Sequence, residues 1–318
     1  MVKFIFKKII YAMPTIVIVS ILSFMIIYAS PGDPVNMYIK PEMSQVDIRN
    51  LKVELGLDGN VLDQYIGWLK NILKGDLGNS LINHRSVSDQ IIEKILPTIS
   101  LMGISLILSL CVSIPLGLIS GLNKNKFIDK FISIISYIGI SIPGFWLGIM
   151  LISLFSLELG MLPSSGMRSL GVDSSLDLIK HFIMPVIVLS IGNIAVFTRY
   201  IRINAINQLE EEYVVTARAK GASEYRILFK HILKNCLIPI ITIVGMNLSN
   251  LVTGSFIIES VFGWPGMGTL GMNAINSRDY PMIMGFTMLA CIVLIIGNLI
   301  ADVLYIFADP RIKEESKL

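Results

Sequence analysis

Charge is scarce in this chain. Only 15% of its 318 residues are Asp, Glu, Lys or Arg, while 53% are apolar and the mean hydropathy is +0.71. A soluble domain carries about 25% charged residues, so that class is excluded. Histidine and cysteine number three each. Cys111, Cys236 and Cys291 lie in or beside apolar runs and give neither a disulfide framework nor a metal-ligand spacing; they read as packing residues. There is no G-x-x-x-x-G-K-S/T loop, so the chain cannot cradle ATP by itself. There is no H-E-x-x-H, and Ser, His and acidic residues fall on opposite sides of the topology below, which leaves a catalytic triad without geometry. The chain reads as no enzyme, with no catalytic residue, cofactor or metal of its own and no nucleic-acid partner. No acid or base sits near the middle of an apolar run, which weakens a proton-coupled carrier. A sodium-coupled carrier should show an internal repeat, and none is visible.

What is abundant is uncharged length. Six stretches, near 9–30, 96–121, 131–157, 182–198, 237–258 and 282–306, are long enough to cross roughly 30 Å of hydrocarbon, and Asp302 is their only acid or base. The chain is therefore an all-α polytopic membrane protein. With the N-terminus inside, 16 of the 26 Lys and Arg fall in the shorter inward pieces and 10 in the longer outward ones. This excess puts both termini and the 199–236 loop in the cytoplasm. The first run is longer than a signal-peptide core and has no clean cleavage site at Tyr28-Ala29-Ser30, so it reads as a first transmembrane helix.

The most structured polar stretch is Asn207 to Pro239. Asn207 and Glu210 have capping-box spacing. Glu210, Glu211 and Glu212 fill a first turn and Arg218 and Lys220 a last one, complementing the helix dipole. Gly221 sits where a left-handed residue stops a helix, and Ser223 caps a second one with Arg226, Lys230 and Lys234 on one face. Small residues (Ala217, Ala219) and unpaired charges suit docking against another protein; a solvated positive-inside loop is the blander alternative.

Outside, 31–95 opens on the turn Pro31-Gly32-Asp33-Pro34 and carries amphipathic helices too short to span, placed on the bilayer surface or on the external mouth. Pro97, Pro115 and Ser141-Ile142-Pro143-Gly144 interrupt the second and third spans. His181, at the end of a 158–181 loop, reads as solvated. The fifth span is the most polar. Asn247, Asn250 and Gly254 share a face that serves either as interhelical glue or as the lining of an aqueous path, for which Thr253 is a further candidate. Glu259, Phe262, Trp264, Pro265, Gly266 and Gly268 form an external turn-rich segment that dips back into the protein.

Glu212-Tyr213-Val214-Val215-Thr216-Ala217-Arg218-Ala219-Lys220-Gly221, followed by His231, Asn235 and Pro239, resembles the cytoplasmic signature of ABC importer permeases. Pro31-Gly32-Asp33-Pro34, Gln64-Tyr65 with Trp68, Gly75-Asp76-Leu77-Gly78-x-Ser80, Glu259-x-Val261-Phe262 with Pro265-Gly266-x-Gly268, Asp279-Tyr280-Pro281 and Asp309-Pro310-Arg311 narrow the likeness to the dipeptide/oligopeptide/nickel permease family, on the B-type subunit side. Val215-Thr216-Ala217 replaces the usual Glu-Ala-Ala, and Lys234 stands where a Pro would follow Leu233; the peptide branch resembles this chain at both points. The resemblance implies a type I ABC importer permease fold in the cytoplasmic membrane. Residues 1–95 would give the first helix and external segment, 96–308 the transmembrane core and 309–318 a cytoplasmic tail. It implies a coupling helix (Glu211, Glu212, Tyr213, Ala217, Arg218, Ala219, Lys220, Gly221) seated on ATPase subunits. Two such ATPases, holding the ATP and Mg, a second homologous permease and an extracytoplasmic solute-binding protein would complete the pump. Substrate would meet a mouth built from 31–95 and 259–281. Peptide is the first expectation, nickel or a metal chelate the alternative, and an ion-coupled carrier acting alone the alternative class.

Overall fold

The computed structural model describes residues 2–29, 43–44, 46–47, 53, 59–233, 235–236, 240, 244–245 and 250–308. In chain order the helices are α1 (Val2–Ala29), α2 (Val61–Leu73), α3 (Val87–Leu122), α4 (Phe127–Ser141), α5 (Gly144–Leu151), α6 (Ser175–Leu209), α7 (Glu212–Ala219), α8 (Glu224–Arg226), α9 (Phe256–Val261), α10 (Met267–Asn276) and α11 (Tyr280–Ala308). Wider π-type turns continue α5 over Ile152–Glu158 and α8 over Ile227–Ile232. No strand occurs among the described residues beyond one isolated bridge between Asn79 and Ser86.

Among the described residues four helices, α1, α3, α6 and α11, are long and apolar enough to cross a membrane, five spans if the bent pair made of α4 and α5 with its π turn counts as one. The stretch expected as a single span over 131–157 is this pair, bent by 92°. The cause is local. Pro143 pushes the residue before it out of helical space, and Ile142 is extended at φ −79, ψ 122. Residues 237–239, 241–243 and 246–249 of the stretch expected at 237–258, Pro239 and Asn247 among them, lie outside the described residues, as do the 31–34 turn, Lys234 and the 309–318 tail. Residues 250–253 are helical, but the helix does not run on to 258: Gly254 turns left-handed at φ +73 and Ser255 caps α9 instead.

Contacts divide the chain into two units, Met1–Leu96 with Leu270–Ile295 and Pro97–Thr269 with Ile296–Leu318. In the first, α2 lies against α1 through Phe24, Tyr65 and Trp68, and the Ser20 and Tyr65 hydroxyls are 2.9 Å apart. Asp279 reaches back to the 75–86 loop, accepting hydrogen bonds from the Ser80 hydroxyl and, at 3.1 Å, from the Leu81 N–H.

In the second unit α3 and α6 run parallel. Ser190 donates to the Ser105 carbonyl at 3.0 Å. A side chain on Gly117 would meet Ile201, and one on Gly121 would meet Ala205, so partner numbers rise together. Small residues one turn apart let the two backbones close up, as membrane helices require in the absence of a hydrophobic drive between them. α4 is antiparallel to α6, with Asp129 opposite Arg202, Tyr137 opposite Arg199 and Gly139 opposite Ala195. His181, expected in a loop, is buried in α6, its Nδ1 2.9 Å from the Asp177 carbonyl oxygen.

Gly117→Leu should separate α3 from α6, because its Cβ would sit 2.6 Å from the Ile201 Cβ. Overpacking of this kind costs about 1–3 kcal/mol, read as a lower thermal midpoint of the purified protein. Gly103→Ala, whose Cβ meets nothing within 4 Å, should leave that midpoint in place.

Candidate functional site

The short helix α7 is held by one apolar residue. Val214 is fully buried in a cluster with Leu118, Ile201, Ala205, Ile227, Ile232 and Cys236, and Tyr213 and Ala217 pack at its margin. The Tyr213 hydroxyl donates to Gln208 Oε1 at 2.8 Å and accepts from Asn235 Nδ2 at 3.0 Å. The opposite face carries Glu211, Glu212, Val215, Thr216, Arg218, Ala219, Lys220 and Gly221, all exposed.

The expected capping box at Asn207 is not formed. α6 runs through Asn207 to Leu209, and the Asn207 carbonyl accepts the Glu210 N–H at 3.3 Å. Continuous burial of Ile201 and Ala205 on α3 outweighs a local cap, and α7 starts at Glu212 with Glu211 before it. The stop at the other end is as read from sequence. Gly221 has φ +79, its N–H bonds the Arg218 carbonyl at 2.9 Å, and the Ala222 N–H bonds the Ala217 carbonyl at 3.1 Å. These two bonds form a Schellman closure, which needs a residue without a Cβ penalty at the left-handed position.

Not all the charges here are unpaired. Arg218 forks onto Glu224 with 2.8 and 3.1 Å bonds, closing the turn around Gly221 and holding the Glu224 carboxyl below its ordinary value. So exposed a pair is worth about 0–1 kcal/mol, so its role is geometric. Lys124 pairs with Glu210 at 3.0 Å. Both pairs border a cleft of about 400 Å³ beneath α7, floored by Gly121, Leu122, Ile206 and Leu209. Ser223 caps α8 as expected, and Arg226 and Lys230 are exposed.

The turn-rich segment after α9 is folded around a carboxylate. Glu259 has no exposed surface, and burial pushes its carboxyl above the ordinary range against the pull of its donors. Those donors are the Gly268 N–H at 2.7 Å, the Thr269 N–H at 3.3 Å and the Thr98 hydroxyl at 3.1 Å; the Met267 N–H donates in turn to Thr98 Oγ1 at 2.7 Å. Glycine is required around this group. A Cβ on Gly266 would lie 2.5 Å and one on Gly268 2.9 Å from Oε2, and one on Gly254 would collide with Oε1. Trp264 is fully buried, donating from its indole to the Pro97 carbonyl at 3.0 Å and standing edge-on to Phe182. Phe262 is buried against Met184, Val188 and Ile258. Glu259, Phe262, Trp264, Gly266 and Gly268 are thus brought together but enclosed, with Pro265 half-buried beside them. Of the candidate path residues, Asn250 is exposed, Thr253 and Gly254 are half-buried, and Gly254 belongs to the Glu259 cradle.

Sequence reading missed a second buried carboxylate of this unit, Asp129. Ser120 donates to it at 2.5 Å, the Asn125 N–H at 2.8 Å, and Arg202 through Nε at 2.5 Å and Nη2 at 2.8 Å. The only local hint is an acid among Lys124, Lys126 and Lys130, which reads as ordinary loop charge.

Apolar crossing helices define a multi-pass helical membrane protein, here with a short capped helix held on a single buried anchor. The chain belongs to the family of binding-protein-dependent transport system inner membrane components, whose main profile matches residues 113–314 and whose N-terminal profile matches residues 1–102. It is 40% identical over 98% of its length to the whole of the oligopeptide transport system permease protein AppB of Bacillus subtilis. It is 38% identical over 98% of its length to a putative peptide permease protein of Brucella suis, covering 99% of that protein. The glutathione transport system permease protein GsiC of Escherichia coli K12 is 36% identical, with 98% of this chain and 99% of that one covered. Among solved structures, an inward-facing MetNI methionine ABC transporter shares the fold at TM-score 0.55 and 18% identity, over 69% of this chain and 96% of that chain.

Glu259→Ala should leave the buried Gly268 N–H and the half-buried Thr269 N–H without their acceptor, at about 1–3 kcal/mol for the buried one. Glu259→Gln keeps one oxygen for them and should retain most of the lost stability, so a thermal-shift comparison of the two variants checks the cradle.

Proposed function

We propose that the chain is the permease subunit of an ATP-driven ABC importer of di- and oligopeptides, forming half of the translocation path in the cytoplasmic membrane. The observation that supports it best is the end-to-end likeness to an oligopeptide permease at 40% identity. Six crossings are proposed, the described four or five completed by the stretch at 237–258. The parallel run of α3 and α6 brings Lys124, Lys126, Arg199, Arg202 and α7 to one membrane face, which the excess of basic residues assigns to the cytoplasm together with both termini.

The exposed face of α7 seats on ATPase subunits that hold the ATP and Mg, and the chain itself binds no cofactor. A second homologous permease completes the pore. A solute-binding protein delivers peptide outside, to a mouth drawn from 31–95 and 259–281. There the enclosed Glu259 segment serves as the external closure, and Asn247, Asn250 and Thr253 serve as path residues.

In proteoliposomes holding both permeases, the ATPases and the binding protein, peptide uptake should require ATP. Uptake by this chain alone under an ion gradient would establish a secondary carrier instead. Gly221→Val should lower binding-protein-stimulated ATP hydrolysis without loss of protein, since a β-branched residue at φ +79 is strained by about 1–2 kcal/mol or more. A cysteine at residue 221 should react with an impermeant thiol reagent in inverted vesicles and not in intact cells.

A further inference from the structure

The Asp129 carboxylate is 2% exposed, and each of its oxygens accepts two hydrogen bonds: Oδ1 from the Ser120 hydroxyl and Arg202 Nε, Oδ2 from the Asn125 N–H and Arg202 Nη2. Such saturation leaves no acceptor site for water and ties the end of α3, the following turn, the start of α4 and the foot of α6 to one group. Asn125 holds a left-handed φ of +66 to present its N–H.

Among the described residues, these are the only side-chain hydrogen bonds between α4 and α6. The rest of that contact is apolar or soft: Gly139 against Ala195 and Ile191, and the Arg199 guanidinium over the Tyr137 ring at 5.1 Å. Apolar contacts are non-directional and tolerate sliding, whereas a two-pronged guanidinium–carboxylate fork fixes both distance and angle. The fork lies two turns before α6 ends at Leu209, and Ile201, beside Arg202, packs in the same cluster as the Val214 anchor of α7.

We propose that Asp129 and Arg202 are positioning residues that lock α4 to the foot of α6, so that movement of the α7 knob is carried into the bent span rather than lost as slip between helices. The proposal rests on the importer reading and goes beyond it, because neither residue belongs to the docking face or to the path.

The test uses the full complex in proteoliposomes and reads peptide transported per ATP hydrolysed, with recovery of assembled complex measured alongside. Asp129→Asn removes acceptor sites and leaves Arg202 uncompensated; Arg202→Lys keeps the charge and loses the fork. Both should assemble and hydrolyse ATP while transport per ATP falls, by about tenfold for Asp129→Asn and less for Arg202→Lys. Asp129→Glu, which can still receive the fork, should recover part of the loss. Unchanged transport per ATP in the first two variants would overturn the proposal. A loss that merely tracks the amount of assembled complex in both would assign the pair to folding and overturn it as well. Wild-type uptake in the same liposomes tests the importer reading separately.

Discussion

A carboxylate taken out of water must have its lone pairs met one by one, and that requirement shapes both ends of the larger unit of this chain. An unanswered buried charge is expensive, and replacing water needs donors at fixed positions. At one end Asp129 draws donors from a hydroxyl, a turn amide and a guanidinium. At the other, Glu259 draws two consecutive amides and a hydroxyl. Donors so placed cannot drift, so each carboxylate makes a rigid junction where helices meet turns. The chain has few charges, and in this unit Asp129 and Glu259 act as internal fasteners rather than as solvated surface.

Glycine provides the space that these junctions need. Gly117 and Gly121 let α3 lie against α6, and Gly254, Gly266 and Gly268 leave room for the Glu259 carboxylate. Proline acts in the opposite sense: Pro143 forces its neighbour to extend and turns one apolar run into two helices at 92°. Shape in a membrane protein is thus set largely by residues with too little or too stiff a backbone neighbourhood, since apolar side chains meet lipid and protein with similar ease.

What the sequence makes legible is local. The α7 helix, its stop at Gly221 and the Ser223 cap follow from charge placement, a glycine and a hydroxyl within a few residues, and the structure has all three. The break at Pro143 was also visible, though not its angle. The capping box at Asn207 misled because a tertiary contact, α6 packed on α3 through Ile201 and Ala205, carried the helix past it. His181 misled for a related reason: α6 begins at Ser175, earlier than its apolar run suggests, and takes the histidine inside. The Asp129–Arg202 pair left almost no trace, because its partners lie 73 positions apart and each alone looks like loop charge. Glu259 and its glycines were visible as a motif, but their convergence on one carboxylate is a fact of three dimensions.

These elements share one helix. α6 is 35 residues long, about 52 Å at helical rise, and so exceeds the hydrocarbon thickness. Near its start Phe182 stands against Trp264, and Met184 and Val188 pack on Phe262, so the segment enclosing Glu259 rests on it. Near its end Arg202 holds Asp129, and Ile201 and Ala205 share a core with Val214 of α7. Pro185 interrupts its hydrogen-bond ladder close to the first of these contacts, leaving the remainder down to Leu209 unbroken. A stiff rod touching the enclosed Glu259 segment at one end and α7 at the other gives displacement a continuous path between them. The bent α4–α5 pair lies alongside and follows the rod only as tightly as it is fastened. That is why the one polar fastener between α4 and α6 among the described residues matters more to coupling than the larger apolar contact around it.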